Sequence, residues 1–247
     1  MRLSRIIAAA FLWSTLLANG SPIAAMVVAP IHVEMTSVGS GGRAQVTVTN
    51  DSSHPLPVET SVQKMMLDES GGHTLSKAGD DFMVFPAQAL IPAGGTQVFR
   101  VQWVGEPMLA ESQSFILAIT QIPLKMPNGK SGVQVVASLG VNINVAPPQG
   151  VASLKLVSAG IATDKGGKRQ PTITVENPTK THTLLPQYTI RLSGDGGWSR
   201  TMAVGELSGT IGIGLVQPGK RRKFILPVDL PAGVGKVQVS IDLKPKR

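Results

Sequence analysis

The stretch Val133-Gln-Val-Val-Ala-Ser-Leu-Gly-Val-Asn-Ile-Asn-Val145 decides the fold class of this 247-residue chain. Apolar and polar residues alternate along most of it with a period of two, the repeat of a β-strand whose successive side chains point to opposite faces. Its odd-numbered positions are all apolar: Val133, Val135, Ala137, Leu139, Val141, Ile143 and Val145. Because a typical strand has about five or six residues, a pattern of this length predicts a strand that extends past the protein's own core.

Shorter runs of the same kind recur along the chain, separated by Gly, Pro, Asn, Asp and Ser. They predict strands at 27–35, 44–49, 56–62, 96–103, 115–122 and 133–145, and, after the Pro147-Pro148-Gln-Gly150 punctuation, at 152–157, 172–175, 185–192, 222–228 and 236–243. Strands spaced in this way, with turn residues between them, are typical of a β-sandwich. We therefore predict an all-β protein with two immunoglobulin-like β-sandwich domains in tandem, an N-terminal domain at 26–147 and a C-terminal domain at 148–247.

The first 25 residues have the pattern of a signal peptide. Arg2 and Arg5 precede an apolar stretch at 6–17, which is too short to cross a bilayer but fits the apolar region of a secretory signal. Cleavage is expected after Gly20 or after Ala25. The mature chain is then exported and not embedded in the membrane, and since the sequence contains no cysteine, its apolar core must hold it without disulfides.

Charge is distributed unevenly between the two predicted domains. Residues 26–150 contain six Lys and Arg against nine Asp and Glu, a net charge of −3, and residues 151–247 contain fifteen against six, a net charge of +9. A basic domain is typical of proteins that bind nucleic acid or anionic lipid. The signal peptide argues against nucleic acid, and the basic residues form short clusters at 220–223 and at 244–247, so we expect a solvated surface.

No arrangement typical of an enzyme occurs in the sequence. The four histidines, His32, His54, His73 and His182, form no pair with metal-ligand spacing. Residues 214–220 match the phosphate-binding pattern G-x-x-x-x-G-K, but Arg221 follows where Ser or Thr is required. The predicted strand after it also favours a hairpin turn over a phosphate loop. We therefore expect a non-enzymatic protein with no catalytic residue, no bound metal and no cofactor.

Several motifs resemble the PapD-like periplasmic chaperones of pilus and fimbrial assembly. They are Val46-Thr-Val-Thr-Asn50-Asp51, Pro55-Leu-Pro57-Val58, Asp81-Phe-Met-Val-Phe-Pro86, Leu90-Ile-Pro92-Ala-Gly-Gly95, Gln97-Val-Phe-Arg100-Val101, Phe115-Ile-Leu-Ala-Ile-Thr-Gln121-Ile122-Pro123, Val175-Glu-Asn177-Pro178 and Leu215-Val-Gln-Pro218-Gly219-Lys220. Each motif is moderately specific, but their order and spacing cover nearly the whole mature chain. The resemblance implies two immunoglobulin-like domains and a periplasmic location.

The resemblance also implies how the protein acts. Such chaperones bind pilus subunits that lack their last strand, supply a strand of their own and deliver the subunit to an outer-membrane usher. The strand to be donated would lie within 131–145, with Val133, Val135, Ala137 and Leu139 as the residues that enter the subunit. The free chaperone is also expected to be able to cap itself as a dimer.

The chain departs from the resemblance at the site that anchors the subunit's terminal carboxylate. Classical members use an Arg on the first strand and a Lys late on the donor strand, and these positions fall on His32 and Asn142 here. A histidine ordinarily titrates near pH 6.5, so His32 and Asn142 would form a weaker, pH-dependent carboxylate anchor. Ala146 likewise falls where a basic residue often contributes to the charge cluster between the domains.

Two other functions remain open from the sequence. One is a secreted structural or adhesive β-sandwich protein without chaperone activity, although no additional self-complementing strand is visible. The other is a carbohydrate- or lipid-binding module in the basic domain, which the ten aromatic residues, three Trp, one Tyr and six Phe, make less favourable. Exposure of Val133 and Val135 on a strand edge would favour the chaperone, because a free apolar edge suits a partner that seeks a strand.

Overall fold

The computed structural model describes residues 26–123 and 135–243, and its regular elements there are β-strands with three short 3₁₀ turns. The first half contains β1 (Met26–Ala29), β2 (His32–Thr36), β3 (Arg43–Asn50), β4 (Leu56–Leu67), β5 (His73–Lys77), β6 (Phe82–Phe85), β7 (Gln88–Ile91), β8 (Thr96–Trp103), β9 (Gln113–Gln121) and β10 (Ser138–Ala146). The second half contains β11 (Lys155–Thr163), β12 (Arg169–Glu176), β13 (Thr183–Leu184), β14 (Tyr188–Gly194), β15 (Ser199–Met202), β16 (Leu215–Val216), β17 (Arg221–Ile225) and β18 (Val237–Leu243). In these two ranges there is no helix with the length and apolar character needed to span a membrane.

Two sheets pack face to face in the N-terminal domain. One has the order β1-β3-β8-β6, and the other has the order β2-β10-β9-β4-β5 with β7 added along β4. Their inner faces form one apolar core in which Phe99, Phe115 and Ile143 are completely buried. The rings of Phe82 and Trp103 meet edge to face with centroids 5.1 Å apart, and Phe82 lies 4.8 Å from Phe115 in the same manner.

The strand predicted at 27–35 is two strands that belong to different sheets. Pro30 has no amide hydrogen to donate and interrupts the run, so β1 pairs antiparallel with β3 whereas β2 pairs parallel with β10. The prediction of one continuous strand is therefore wrong at this point. The change of sheet matters for function, because it places His32 directly opposite Asn142 on the neighbouring strand.

A second core lies in the C-terminal domain. Strands β11-β12-β17 form one sheet, β15-β14-β18 form another, and the short pair β13-β16 completes the domain. Ile173, Val175, Ile190 and Leu226 are almost completely buried between them. The predicted fold class, two immunoglobulin-like domains in an all-β chain, is confirmed. We propose that the boundary lies at Pro147 and Pro148, in the connection between β10 and β11.

The same polar turn occurs at the end of β3 in the first domain and after β12 in the second. Asn50 ends β3 and Asn177 follows β12, and both side chains are completely buried. The amide group of Asn50 donates to the carbonyl oxygen of His54 (2.7 Å), and that of Asn177 donates to the carbonyl oxygen of Thr181 (2.9 Å). In both turns a hydroxyl two positions after the asparagine donates to its side-chain oxygen. The turn in the second domain thereby fixes the backbone immediately before His182.

The segment at 214–220 forms a turn between sheets and no phosphate loop. Gly219 has φ +64°, and its N–H donates to the carbonyl oxygen of Asn177 (2.8 Å). The flanking strands have different partners, since β16 pairs with β13 and β17 pairs with β12. The predicted turn at Pro218 and Gly219 is present, but the predicted hairpin is wrong, because its two strands lie in separate sheets.

Candidate functional site

Among the strands that the structure describes, none covers one edge of the N-terminal half of β10. It pairs with β9 from Ser138 to Val145, but β2 covers its other side only from Asn142 onward. The carbonyl oxygen of Ala137 accepts from Gln121 on the β9 side, whereas the N–H of Asn142 donates to Ile31 on the β2 side, each at 2.9 Å. Because main-chain groups alternate between the two edges of a strand, those of Ser138 and Gly140 point to the side where no other described strand pairs.

The odd-numbered side chains of this strand pass from the core to solvent. Val141, Ile143 and Val145 are completely buried, so the C-terminal half belongs to the protein's own core. Leu139 is 37% exposed and Val135 is 80% exposed. Of the other two residues predicted to enter a partner, Ala137 packs partly against the core and Val133 lies outside the described residues. The strand itself begins only at Ser138, so the prediction of a strand is wrong for residues 135–137. Among the described residues, the free main-chain edge at Ser138 and Gly140 thus lies beside exposed Leu139, and exposed Val135 precedes the strand by three positions.

A cleft of about 340 Å³ lies between the domains near this edge. Among the described lining residues, His32 comes from the N-terminal domain. The others lie between 184 and 213 in the C-terminal domain and include Leu184, Pro186, Val204 and Ile213. Apart from His32, these lining residues are apolar or uncharged. The cleft therefore offers apolar contact and one titratable group to a chain segment that enters it.

His32 and Asn142, the residues of the predicted anchor, are partners in the register of β2 and β10. Their side chains have different contacts, however. The Nε2 atom of His32 lies 2.6 Å from Oε1 of Glu34, whereas the side-chain amide of Asn142, which is 8% exposed, contacts the sulfur of Met65 at 4.0 Å. The structure brings the two residues together, and their role as an anchor stays a prediction.

Glu34 is the centre of a polar cluster that is not among the sites predicted from the sequence. Its Oε2 atom lies 2.5 Å from Nε2 of His182, in the other domain, and its Oε1 atom accepts from the side-chain amide of Asn144 at 2.9 Å as well as contacting His32. Burial alone raises the pKa of Glu34, but the hydrogen bonds from His182, His32 and Asn144 outweigh it and lower the pKa from 4.5 to about 2. Glu34 is therefore ionised at neutral pH.

The sequence contained two weak signals for this cluster. Glu34 lies two positions after His32 on one strand, so both side chains occupy the same face. His182 follows a turn that repeats the Asn50 turn of the first domain. Neither signal identifies the contact, because the chain brings Glu34 and His182 together across 148 positions.

A second set of contacts joins the domains at the end of β4. Gln217 is 4% exposed, accepts from the N–H of Leu67 (2.8 Å) and donates to the carbonyl oxygen of Met65 (2.9 Å). Next to it, the N–H of Lys223 donates to the carbonyl oxygen of Glu69 (2.7 Å). Neutral hydrogen bonds to the backbone therefore fix one side of the boundary between the domains, and the Glu34 cluster fixes the other.

Two of the four basic residues at 220–223 take part in local side-chain contacts, and Lys220 and Lys223 are exposed. Arg221 donates to the carboxylate of Glu176 at 2.9 Å, and Arg222 donates to the carbonyl oxygen of Leu215 at 3.0 Å. The other basic cluster, at 244–247, lies outside the described residues. Within residues 26–123 and 135–243, no three His, Cys, Asp or Glu side chains are arranged so that they could hold a metal ion.

The sequence matches one protein-family model. Residues 25–150 match the family described as pili and flagellar-assembly chaperone, PapD N-terminal domain. A sequence search of curated proteins found no match. The family match covers the first domain, including β10 and the residues of the Glu34 cluster that this domain contributes.

Solved structures of fimbrial chaperones resemble both domains together. The class 5 fimbriae chaperone CfaA aligns with a TM-score of 0.52 and 12% identity, over 89% of this chain and 100% of its own. The Salmonella enterica SafA pilin–SafB chaperone complex aligns with a TM-score of 0.52 and 15% identity, and the alignment covers 90% of this chain and 97% of the matched chain. The Acinetobacter baumannii CsuC–CsuE complex of a chaperone with a tip adhesion subunit aligns with a TM-score of 0.50 and 15% identity. That alignment covers 88% of this chain and 98% of the matched chain. At these identities, the likeness establishes the two-domain fold.

Proposed function

This chain belongs to the family of pili and flagellar-assembly chaperones with a PapD N-terminal domain, and we propose that it is a periplasmic chaperone that binds pilus or fimbrial subunits by donor-strand complementation. The observation that carries the proposal is the N-terminal half of β10. There, main-chain groups that pair with no other described strand lie beside exposed Leu139, and exposed Val135 precedes the strand.

The physics of strand addition matches this arrangement. A subunit with a missing strand exposes both an unpaired edge and an open core, which makes it prone to aggregate. The free edge of β10 supplies main-chain hydrogen bonds to the subunit, and alternate side chains fill its groove, as in known chaperone–pilin complexes. Val133, Val135, Ala137 and Leu139 are the proposed donor residues.

The cleft between the domains is the proposed site for the end of the bound subunit segment. His32 lies in its wall and Asn142 is its neighbour across the strand pair. The protein acts stoichiometrically and without catalysis, with an outer-membrane usher as its second partner and no nucleic acid. When free, it caps its donor edge by forming a dimer.

Capture of subunits from the periplasm of the native host, under conditions in which pili are made, tests this function. Tagged wild type is compared with Val135→Asp and with Val151→Asp. The control is matched, because Val135 and Val151 are both 80% exposed and only Val135 lies next to β10. Burying a valine contributes about 1.5–3 kcal/mol, so we expect Val135→Asp to weaken capture by on the order of tenfold to a hundredfold.

Mass spectrometry of the captured proteins separates the outcomes. Recovery of a small β-rich subunit with wild type and Val151→Asp, and its loss with Val135→Asp, would support donation by this strand. Equal recovery with all three proteins would place the binding edge elsewhere. If none of them recovers a subunit, the chaperone function itself is refuted, and a structural or adhesive role takes its place.

A further inference from the structure

The cluster at the proposed anchor already contains a carboxylate, that of Glu34. Its two oxygens have three neighbours with nitrogen atoms at hydrogen-bond distance: His32 at 2.6 Å, Asn144 at 2.9 Å and His182 at 2.5 Å. His182 comes from the second domain and its side chain is 4% exposed. Both oxygens of Glu34 are therefore engaged by side chains of the same protein.

The charge around this site does not favour a second carboxylate. Glu34 is ionised at neutral pH because its hydrogen bonds hold its pKa near 2. No Lys or Arg is among the residues that line the cleft between the domains. A subunit carboxylate that approached His32 would therefore meet a like charge a few ångströms away, with no Lys or Arg among the described lining residues to compensate for it.

We propose that Glu34 is an internal ligand of the anchor, occupying the place of a subunit's terminal carboxylate. The inference rests on the proposed function, and it determines the specificity of the same site. A free C-terminus contributes little to binding, and the subunit is recognised by strand pairing and by apolar contacts in the cleft. Because Glu34 also holds His182, the polar contact between the domains is complete before any subunit arrives.

The test uses sodium acetate as a probe of the carboxylate site and acetamide as the uncharged control. Histidine ring resonances of uniformly ¹⁵N-labelled protein are followed by NMR during each titration, with His32→Gln and His182→Gln used to assign them. His54 and His73 lie outside the cluster and serve as internal references. In the wild type we expect no saturable shift of His32 or His182 with either probe.

The variant Glu34→Gln removes the charge with little change of shape. We expect acetate, and not acetamide, to shift both cluster histidines saturably, with binding on the order of tenfold or more tighter than to the wild type. Glu111→Gln is the matched control, since Glu111 contacts Lys180 across the domain boundary at 3.1 Å and is not one of the hydrogen-bond partners of Glu34. This control should behave as the wild type.

Two results would overturn the inference. One is a saturable shift of His32 by acetate in the wild type. The other is a folded Glu34→Gln protein in which acetate shifts neither cluster histidine. If Glu34→Gln does not fold, the wild-type titration still decides, because acetate binding there refutes the internal ligand and its absence supports it. The titration needs no subunit, so its outcome is independent of the capture experiment.

Discussion

The substitution Glu34→Gln should destabilise the protein at neutral pH and have little effect in strong acid. In the folded protein the pKa of Glu34 is about 2, against 4.5 for its ordinary value. Each unit of pKa difference corresponds to about 1.36 kcal/mol, so the lowered pKa of Glu34 contributes at most about 3.4 kcal/mol to the free energy of unfolding. The side chain of Glu34 is 44% exposed, and solvent screening reduces the expected contribution to about 1–2 kcal/mol.

The pH dependence of this contribution has a definite sign. Above pH 4.5, Glu34 is ionised in both states and its contribution is fully present. Between pH 4.5 and about 2 the unfolded chain binds a proton that the folded protein does not, so the contribution falls as the pH is lowered. Below about pH 2 it is lost. The difference in unfolding free energy between wild type and variant should therefore be largest near pH 6 and small near pH 2.5.

Urea denaturation followed by tryptophan fluorescence measures this difference domain by domain. Trp103 lies in the first core, and Trp198 packs against the second. Glu111→Gln provides the control, because its exposed pair with Lys180 is expected to contribute about 0–1 kcal/mol. The electrostatic argument for Glu34 would be refuted if wild type and Glu34→Gln had the same free energy of unfolding at pH 6. It would also be refuted if the difference between them were the same at pH 6 and at pH 3.

Four further substitutions test the packing on which the site depends. Gln217→Ala removes two hydrogen bonds between the domains and should lower the free energy of unfolding by about 1–3 kcal/mol. Small-angle X-ray scattering should show a larger radius of gyration, and an unchanged radius would mean that Gln217 does not hold the domains together. Asn50→Ala and Asn177→Ala should each lower the unfolding free energy of their own domain by about 2–4 kcal/mol, since each leaves buried backbone groups unpaired, and fluorescence of the tryptophan in that domain measures the loss. Ile143→Ala should cost about 2–5 kcal/mol by leaving a cavity beneath β10, and a loss below 1 kcal/mol in urea denaturation would mean that the core there relaxes.

The alternation of apolar residues predicted most of the strands that form the two cores. The prediction at 96–103 coincides with β8, and that at 236–243 differs from β18 by one residue. The exposed strand β5 was missed, because all five of its residues face solvent and leave no alternating pattern. The run at 27–35 was predicted as one strand, because apolar periodicity does not show that the chain changes sheet at Pro30.

Part of the candidate site could also be predicted from the sequence. The length of the alternating run predicted a strand that extends beyond the core from residue 133, but β10 begins only at Ser138. Leu139 on the strand and Val135 before it are both exposed. The proximity of His32 and Asn142 followed from the family resemblance, and the register of β2 and β10 shows it directly. The role of these residues in subunit binding stays a prediction.

The sequence by itself determined the fold class and the alternating apolar pattern at 133–145, because both depend on side-chain periodicity along the chain. Tertiary structure alone decided the partner of His32. Glu34 and His182 are 148 positions apart, and no local pattern records a contact that exists only when two separately folded domains meet. The depressed pKa of Glu34 has the same origin, since burial and three hydrogen-bond partners act on it only after folding.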